Sequence, residues 1–342
     1  MKVAIIGPVT TKSYFGGVAT FDENLAIAFS KMGHKVVLLS SQLEVEEEET
    51  IDDVPVRKVN AFNITKYQVD LVICSLGDIK FLKRVIAKFK IAFIHGFFTA
   101  KFYGPFKAMA GIEYQKHFLK YADAVIANSE FTRFMNAESA GIKTDGSVSL
   151  GVSYDFLYEL KEKEQVERES NSILFAGRLV SVKRIDRILQ AVKILKDQGR
   201  DYHLYVVGEG PEQENLIRYS KDHDLGVTFT GKVNQKEIVK YYKKSEIFIS
   251  LNQSEPYGIT FCEALLGGCK IVCPKTGGQV EFLKDYPDTA KILQNDTPEQ
   301  IADAVLSLSE VSLVDSVNTN NFTYERTARE ILNIVKRKSQ NG

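Results

Sequence analysis

The stretch Ser254–Ala264 reads Ser-Glu-Pro-Tyr-Gly-Ile-Thr-Phe-Cys-Glu-Ala and contains two carboxylates eight positions apart. The apolar run Ile247–Ser250 before it predicts a strand, and Thr260–Leu266 predicts the start of a helix. Glu255 is therefore expected in the loop at the carboxyl end of a strand, where open α/β sheets bind ligands. Glu263 is expected in the first turns of the helix. Such a pair can accept hydrogen bonds from sugar hydroxyls, whereas an isolated Glu263 would equally serve as a helix-dipole partner.

Glycines in and near this stretch predict close approach of the backbone to a ligand. Pro256-Tyr257-Gly258 lies between the two carboxylates. Downstream, Thr276–Glu281 follows the predicted strand Lys270–Val272 and contains Gly277 and Gly278. Paired glycines before a helix expose backbone amides that suit a phosphate, and a plain turn is an equally compatible interpretation.

Two cations follow another predicted strand, Ser172–Ala176. Gly177 and Arg178 come directly after it, and Lys183 lies five residues further on. Fixed cations at a strand end can neutralise a diphosphate and stabilise it as a leaving group. The alternative is an ordinary surface arginine and lysine. A fourth loop, with Gly208 and Glu209 after a strand, is a weaker signal because many α/β loops look like this.

Short apolar runs alternate with longer amphipathic stretches along the whole chain, which predicts a parallel α/β architecture. The predicted strands are Lys2–Ile6, Lys35–Leu39, Val54–Val59, Leu71–Cys74, Ile91–Ile94, Ala124–Ala127, Ser172–Ala176, Leu204–Val207, Val227–Phe229, Ile247–Ser250 and Lys270–Val272. Because the strand pattern restarts after the charged run Glu159–Ser170, we expect two doubly wound domains facing each other across a cleft. The predicted domains are residues 1–158 and 171–320. The run between them is interpreted as a solvated linker or helix face, and the helix at 324–342 is expected to pack on either domain.

Composition excludes several classes of function. The 342 residues contain 44 Lys+Arg and 44 Asp+Glu, so no net charge favours nucleic acid. Four cysteines give no disulfide framework, and Cys269 and Cys273 lack the further ligands that a closed zinc site needs. The apolar runs are too short for a signal-peptide core or a membrane span. We expect a cytoplasmic protein with no metal and no cofactor.

Three positions in the first half are further candidates. Gly16 and Gly17 precede the first predicted helix, but their spacing does not give the G-x-G-x-x-G pattern of dinucleotide sites. His95 and Asn128 each follow a predicted strand. A lone histidine is more often structural, and Asn128 is compatible with either a helix cap or a contact with an acceptor.

The segment Lys80–Lys120 is basic and aromatic. It contains nine Lys and Arg residues against the single acid Glu113, interleaved with Phe and Tyr. Such a surface suits peripheral attachment to anionic lipid, and the alternative is a set of core aromatics whose neighbouring lysines are solvated. Lys101–Lys107, which includes Tyr103, is predicted as a mobile loop on the acceptor side.

Together these motifs resemble glycosyltransferase family 4, known also as glycosyl transferases group 1, over nearly the whole chain. That resemblance implies the GT-B fold, two Rossmann-like domains, and a transferase that retains anomeric configuration. It implies that Glu255 holds donor-sugar hydroxyls, that Glu263 holds the nucleotide ribose, that Arg178 and Lys183 hold the diphosphate, and that His95 lies near the anomeric carbon. The donor-binding residues are then expected to be Gly16, Gly17, Gly177, Gly208, Glu209, Tyr257, Gly258, Ile259, Glu263, Gly277, Gly278 and Glu281, with Asn128, Lys101 and Tyr103 on the acceptor side.

The chain departs from the family pattern at two places. Arg184 stands where the family commonly has glycine after its lysine, and Leu150–Ser153 replaces a common Asn-Gly-Val-Asp. Neither change removes a predicted donor-binding residue.

The expected activity is metal-independent transfer of a hexose-type sugar from a nucleoside diphosphate donor, with a UDP-sugar favoured, to a hydroxyl acceptor. Two alternatives remain: a non-catalytic subunit that binds nucleotide sugars, and a nucleotide-sugar epimerase on the same fold.

Overall fold

The computed structural model describes residues 1–10, 16–42, 49–162, 166–311 and 317–341. They form two compact units, the first comprising Met1–Ser153 and Asn320–Gly342 and the second Tyr154–Thr319. The first unit's N-terminal segment therefore ends at Ser153, five residues before the domain end at residue 158 that the sequence predicts.

The secondary structure alternates between strands and helices. The strands are β1 (Lys2–Ile6), β2 (Lys35–Ser40), β3 (Glu49–Ile51), β4 (Val54–Lys58), β5 (Gln68–Ser75), β6 (Ile86–Ile94), β7 (Ala124–Ala127), β8 (Gly146–Ser147), β9 (Glu169–Ala176), β10 (His203–Val207), β11 (Val227–Gly231), β12 (Ser245–Ile249), β13 (Lys270–Pro274) and β14 (Ala290–Leu293). The helices are α1 (Gly17–Lys31), α2 (Ala100–Tyr103), α3 (Pro105–Leu119), α4 (Glu130–Ala140), α5 (Tyr154–Glu162), α6 (Ile185–Asp197), α7 (Gln213–Asp222), α8 (Gln235–Lys244), α9 (Ile259–Leu266), α10 (Val280–Leu283), α11 (Pro298–Ser309) and α12 (Tyr324–Asn341). Short 3₁₀ segments span Ile64–Lys66, Leu76–Lys83, Ser181–Lys183 and Thr319–Phe322.

The first unit contains an eight-stranded sheet in the order β3-β4-β2-β1-β5-β6-β7-β8. Every pair is parallel except β3 with β4, which form an antiparallel hairpin. After β1 the polypeptide places β2, β3 and β4 on one side of that strand, and it then places β5 on the other side. The strand order therefore reverses between β1 and β5, which is the position where doubly wound sheets bind ligands.

The C-terminal helix α12 packs on the first unit. The Val152 amide donates to the Phe322 carbonyl at 2.9 Å, and the Ser149 amide donates to the Glu330 carboxylate at 2.8 Å. The Tyr324 ring lies 6.0 Å from the ring of Phe21 in α1. The sequence left the partner of this helix open, and these contacts assign it to the first unit.

The second unit contains a six-stranded, entirely parallel sheet in the order β11-β10-β9-β12-β13-β14. Counted from β9, this is the 3-2-1-4-5-6 order of dinucleotide-binding sheets, with the reversal between β9 and β12. The core residues of β9 and β12, such as Phe175 and Ile249, are fully buried because helices cover both faces. The predicted α/β class with two doubly wound sheets is confirmed.

Several sequence predictions need correction. Strands β3, β8 and β14 were not predicted, because they are short and contain charged or small residues. The predicted loop Lys101–Lys107 is instead the end of α2 and the start of α3, joined at Gly104 with a φ of 76°.

The charged run Glu159–Ser170 is more than a solvated linker. Glu159 in α5 is buried and lies 3.6 Å from Lys236. Arg168 donates to the carbonyls of Ser245 and Gly267. The run therefore anchors α5 and the start of β9 to the second unit through its charged groups.

Among the described residues, no helix combines the length and apolar character that a bilayer crossing requires. The four cysteines are buried and free. Burial raises the pKa of Cys269 and of Cys273 to about 12, so neither thiol is ionised at neutral pH.

Candidate functional site

The loops after β9 and β12 meet at the point where the strand order of the second sheet reverses. Lys183, in the 3₁₀ segment after β9, donates from Nζ to Oε2 of Glu255 at 2.6 Å. Asn252 Nδ2 donates to the same oxygen at 2.9 Å. The structure thus brings together a cation and a carboxylate separated by 72 residues in the chain.

The protonation state of Glu255 follows from these neighbours. Burial alone would raise the pKa of its carboxyl. The Lys183 ammonium and the hydrogen bonds from Lys183 and Asn252 stabilise the charged form and outweigh burial, so the pKa lies below its ordinary value. Glu255 is therefore a carboxylate at neutral pH, with its second oxygen able to accept hydroxyl hydrogens.

Arg178 extends from the same strand end with an exposed side chain. It makes no ion pair or side-chain hydrogen bond with any residue that the structure describes. A guanidinium that protein groups do not neutralise is free to bind an anion bidentately.

Close backbone contact fixes the loop that carries Arg178. A Cβ on Gly208, whose φ is 132°, would lie 2.0 Å from the Gly177 carbonyl oxygen. The Leu179 amide donates to the Glu209 carbonyl at 2.9 Å, so the two loops run side by side. Gly208 is thus required by this packing and Gly177 is favoured by its φ of 150°, whereas Glu209 is exposed beside it.

The glycine loop after β13 packs against the loop of Glu255. The Gly278 amide donates to the Glu255 carbonyl at 2.9 Å, and a Cβ on Gly278 would lie 2.2 Å from the Pro256 carbonyl oxygen. The Gly278 amide is therefore engaged within the protein, and α10 has only four residues. Gly278 therefore allows two loops to pack together and its amide is not available to a phosphate, whereas the prediction that this glycine pair offers amides to a phosphate stays open for Gly277.

Neighbouring predicted residues line the same region. Tyr257 is buried with its ring 5.5 Å from that of Phe282, and Gly258, with a φ of 95°, precedes Ile259 at the start of α9. Glu281 is half-buried within α10.

Glu263 lies on the buried face of α9. Its Oε2 accepts a 2.9 Å hydrogen bond from the hydroxyl of Tyr242, a fully buried residue of α8. Burial raises the pKa of Glu263 to about 7, with the Tyr242 hydrogen bond opposing part of that rise. Glu263 thus titrates near neutral pH, a property the sequence did not predict.

The contacts of Arg184 explain how an arginine is accommodated where the family commonly has glycine. Its φ of 52° lies in the left-handed region, which favours glycine. Its guanidinium binds the Asp296 carboxylate, to which Arg187 also donates at 2.9 Å. We infer that this ion-pair cluster offsets the conformational cost of a side chain at a glycine position.

His95 follows β6 in the first unit. Its Nε2 lies 3.0 Å from the Ser75 hydroxyl, and its ring lies 4.8 Å from that of Phe93. Burial lowers the pKa of His95 to about 3, so the imidazole is neutral. Asn128 is buried, and its amide donates to the His95 carbonyl at 3.0 Å. Asn128 thus holds the His95 backbone, and the cap of α4 is Ser129 rather than Asn128.

The other candidates of the first unit are less constrained. Gly16 precedes α1 with an extended backbone, and Gly17 is its exposed first residue. Tyr103 is exposed and stacks near Phe98 at 5.1 Å. Lys101 lies in α2, and its side chain is outside the described part of the structure.

The basic, aromatic segment divides into two parts. Phe81, Phe93 and Phe97 are buried, as the core interpretation predicted. In contrast, α2 and α3 expose a neighbouring set of large apolar side chains, comprising Phe102, Tyr103, Phe106 and Met109.

Sequence reasoning missed Asn252, Asp296 and Tyr242. Asn252 stands three residues before Glu255, and that spacing in a strand-end loop is the only sequence signal for it. Tyr242 and Asp296 come from other elements and become visible only in the folded chain.

Two Rossmann-like units, with the second sheet carrying Lys183, Glu255 and Arg178 at its point of reversal, give the chain the architecture of the GT-B fold. A solved glycosyltransferase from Rickettsia africae has the same fold, with a TM-score of 0.73 and 20% identity over 100% of this chain and 99% of that one. The model of the family "Glycosyl transferases group 1" matches residues 158–321. This match covers nearly all of the second unit and bears out the resemblance seen in the motifs.

Two curated relatives are similar to the chain. The alpha-monoglucosyldiacylglycerol synthase of Streptococcus pneumoniae is 27% identical over 45% of this chain and 38% of its own length. An uncharacterized glycosyltransferase of Methanocaldococcus jannaschii is 22% identical over 98% of both chains. The chain thus spans little more than a third of the first relative and nearly all of the second.

Proposed function

We propose that the chain transfers a hexose-type sugar from a nucleoside diphosphate sugar to a hydroxyl acceptor, retaining the anomeric configuration and using no metal ion. The observation that carries this proposal is the arrangement of Arg178, Lys183 and Glu255 around the point of reversal of the second sheet. It combines two cations with a carboxylate that remains ionised at neutral pH.

The cations suit the diphosphate of the donor. When the bond between the anomeric carbon and the phosphate oxygen breaks, negative charge grows on the departing diphosphate. Arg178 and Lys183 would stabilise that charge, which is the task a divalent cation performs in other transferases.

The carboxylates suit the hydroxyl groups of the donor. Glu255 would accept hydrogen bonds from the transferred sugar, and Glu263 would accept them from the ribose. In this scheme Lys183 also orients Glu255 through their 2.6 Å contact, so one cation serves both the phosphate and the sugar ends of the site.

Retention requires the acceptor oxygen to attack the anomeric carbon from the face that the diphosphate leaves. The new carbon–oxygen bond forms as the old one breaks, and the acceptor proton passes to a phosphate oxygen of the leaving group. This scheme needs no protein nucleophile, and the fixed charges of the site would lower its barrier.

A sugar-transfer assay tests the proposal. The purified chain is incubated with UDP-, GDP- and ADP-sugars and hydroxyl acceptors, and product mass and anomeric configuration are measured. We expect a product whose configuration matches the donor, formed equally well in the presence of EDTA. Arg178→Ala and Glu255→Gln should each lower the rate by about 100-fold or more, whereas Arg200→Ala, which removes an exposed arginine of the same unit, should not.

The assay also separates the alternatives. Donor epimerised without an acceptor would favour an epimerase, and donor binding without turnover would favour a non-catalytic subunit. Inversion of configuration, or full activity in both site variants, would contradict the proposed mechanism.

The exposed surface of α2 and α3 supports binding of the chain to an anionic membrane, where it would meet its acceptor or a partner. Phe106 is 81% exposed, and Lys107 and Lys116 lie exposed on the same helix. Exposed aromatic side chains beside lysines suit the interface of an anionic bilayer. The name of the pneumococcal relative, a synthase of a glucosylated diacylglycerol, supports a lipid acceptor.

Vesicle sedimentation tests this part. The chain should sediment with vesicles that contain anionic lipid and not with neutral vesicles, and Phe106→Ala should weaken that binding. Phe62→Ala is the matched control, because Phe62 is 88% exposed elsewhere on the same unit. Equal binding to both vesicle types, or an equal loss in both variants, would contradict the membrane surface.

A further inference from the structure

A buried chain of hydrogen bonds lies at the point of reversal of the first sheet. The Ser75 hydroxyl, at the end of β5, donates to Oδ1 of Asp22 at 2.5 Å. The same hydroxyl oxygen lies 3.0 Å from Nε2 of His95. Asp22 and Ser75 are both 0% exposed, so water does not compete for these contacts.

The absence of a side chain at Gly7 leaves room for the Asp22 carboxylate. A Cβ on Gly7, directly after β1, would lie 2.0 Å from Oδ2 of Asp22. Oδ2 is buried and has no hydrogen-bond partner among the residues that the structure describes. An aspartate held in this way in the middle of α1 costs stability, which argues for a role beyond packing.

The number of protons in this chain of hydrogen bonds decides which nitrogen of the His95 imidazole carries a proton. A serine hydroxyl has one proton, and here Ser75 gives it to Asp22. Its oxygen can then only accept from His95, so Nε2 carries the proton and Nδ1 carries the lone pair. Rings of Phe21 and Phe93 within 5 Å of the imidazole centroid pack against the ring, and the Asn128 hydrogen bond at 3.0 Å holds the His95 backbone.

We propose that Asp22 is a positioning residue that acts through Ser75 to hold His95 as the Nε2–H tautomer, so that Nδ1 accepts a hydrogen bond from a sugar hydroxyl during transfer. The hydroxyl contact rests on the proposed function, whereas the tautomer does not. Burial raises the pKa of Asp22 well above its ordinary value. A proton on the unpartnered Oδ2 would leave Oδ1 able to accept from Ser75, so protonation at that oxygen keeps the same tautomer.

Nitrogen NMR of the imidazole rings tests the proposal without any substrate. The chain has five histidines, and the His95 signals are assigned by their loss in His95→Gln. Wild type and Asp22→Asn, which keeps an acceptor at Oδ1, should show the Nε2–H tautomer. In Asp22→Ala the Ser75 proton loses its carboxylate acceptor and can be donated to Nε2, so the Nδ1–H tautomer should dominate. A role in packing alone would leave the tautomer unchanged.

Kinetics then test the contact with substrate. Asp22→Ala should lower kcat by about tenfold, the value of one hydrogen bond, with a smaller change in donor KM, and Asp22→Asn should recover most of the loss. A wild-type spectrum with the Nδ1–H tautomer would overturn the proposal even if Asp22→Ala did not fold. An unchanged tautomer in folded Asp22→Ala would also overturn it. Absence of sugar transfer by wild type, with the expected tautomers present, would instead count against the proposed function.

Discussion

Glu263 should make the stability of the second unit depend on pH between 4.5 and about 7. Its carboxyl is 7% exposed, and its pKa is raised by burial from 4.5 to about 7. Between these values the unfolded chain releases a proton that the folded chain retains. The stabilising contribution is therefore fully present below pH 4.5 and is lost as pH rises through 7.

The size of the effect follows from the two pKa values. A difference of one pKa unit corresponds to ~1.4 kcal/mol, so Glu263 should remove about 3 kcal/mol between pH 4.5 and pH 8. Glu263→Gln replaces the carboxyl by a group of similar size that does not titrate. Wild type should therefore lose stability relative to this variant across that range.

Chemical denaturation at several pH values, monitored by a probe in the second unit, measures the difference between the two proteins. Glu255→Gln is a control of opposite sign: because the pKa of Glu255 is lowered, its contribution is lost only as pH falls below its ordinary range. Its difference from wild type should be flat from pH 6 to pH 8. A flat difference for Glu263→Gln over the same range, or a ¹³C carboxyl titration of Glu263 near its ordinary pKa, would refute the reasoning.

Three other changes test the structure. Arg184→Gly should be more stable than Arg184→Ala by about 1 kcal/mol in urea denaturation, because both lose the ion pair and only glycine relieves the positive φ; equal stabilities would contradict this explanation. Gly208→Ala should cost about 3 kcal/mol or more because its Cβ would lie 2.0 Å from a carbonyl oxygen, whereas Gly17→Ala meets no atom within 4 Å and should be nearly neutral. Lys270 is 2% exposed and binds Glu246 at 3.0 Å, so Lys270→Ala should cost about 3–5 kcal/mol in the same measurement, and a loss below 1 kcal/mol would show that the pair is replaceable.

The fold could be predicted because parallel strands covered on both faces give continuous apolar runs. Strands such as β1 and β7 have the predicted bounds, and loops at their carboxyl ends contain the candidate residues. Three of the four strands at sheet edges, β3, β8 and β14, were missed because such a run is short or absent there: β8 is Gly146–Ser147, and its two residues carry no apolar signal.

The site could be predicted only in part. Glycine and charge after a strand indicated Arg178 and Glu255, but the direct contact of Glu255 with Lys183 depends on the order of strands in space. The role of Asp22 was invisible in the sequence, because a single aspartate within an amphipathic helix normally faces solvent. Its carboxylate lies against Gly7, after β1, and Ser75, at the end of β5, and a local sequence pattern does not encode these contacts.

In the proposed function the donor binds at the point of reversal of the second sheet. Calorimetric titration with UDP, GDP and ADP, comparing wild type with Arg178→Ala and Arg200→Ala, tests it most directly. We predict that the best of these ligands binds wild type and Arg200→Ala equally and binds Arg178→Ala about 10- to 100-fold more weakly, the loss expected for a charge-assisted hydrogen-bonded pair. Equal affinity for wild type and Arg178→Ala would contradict the account.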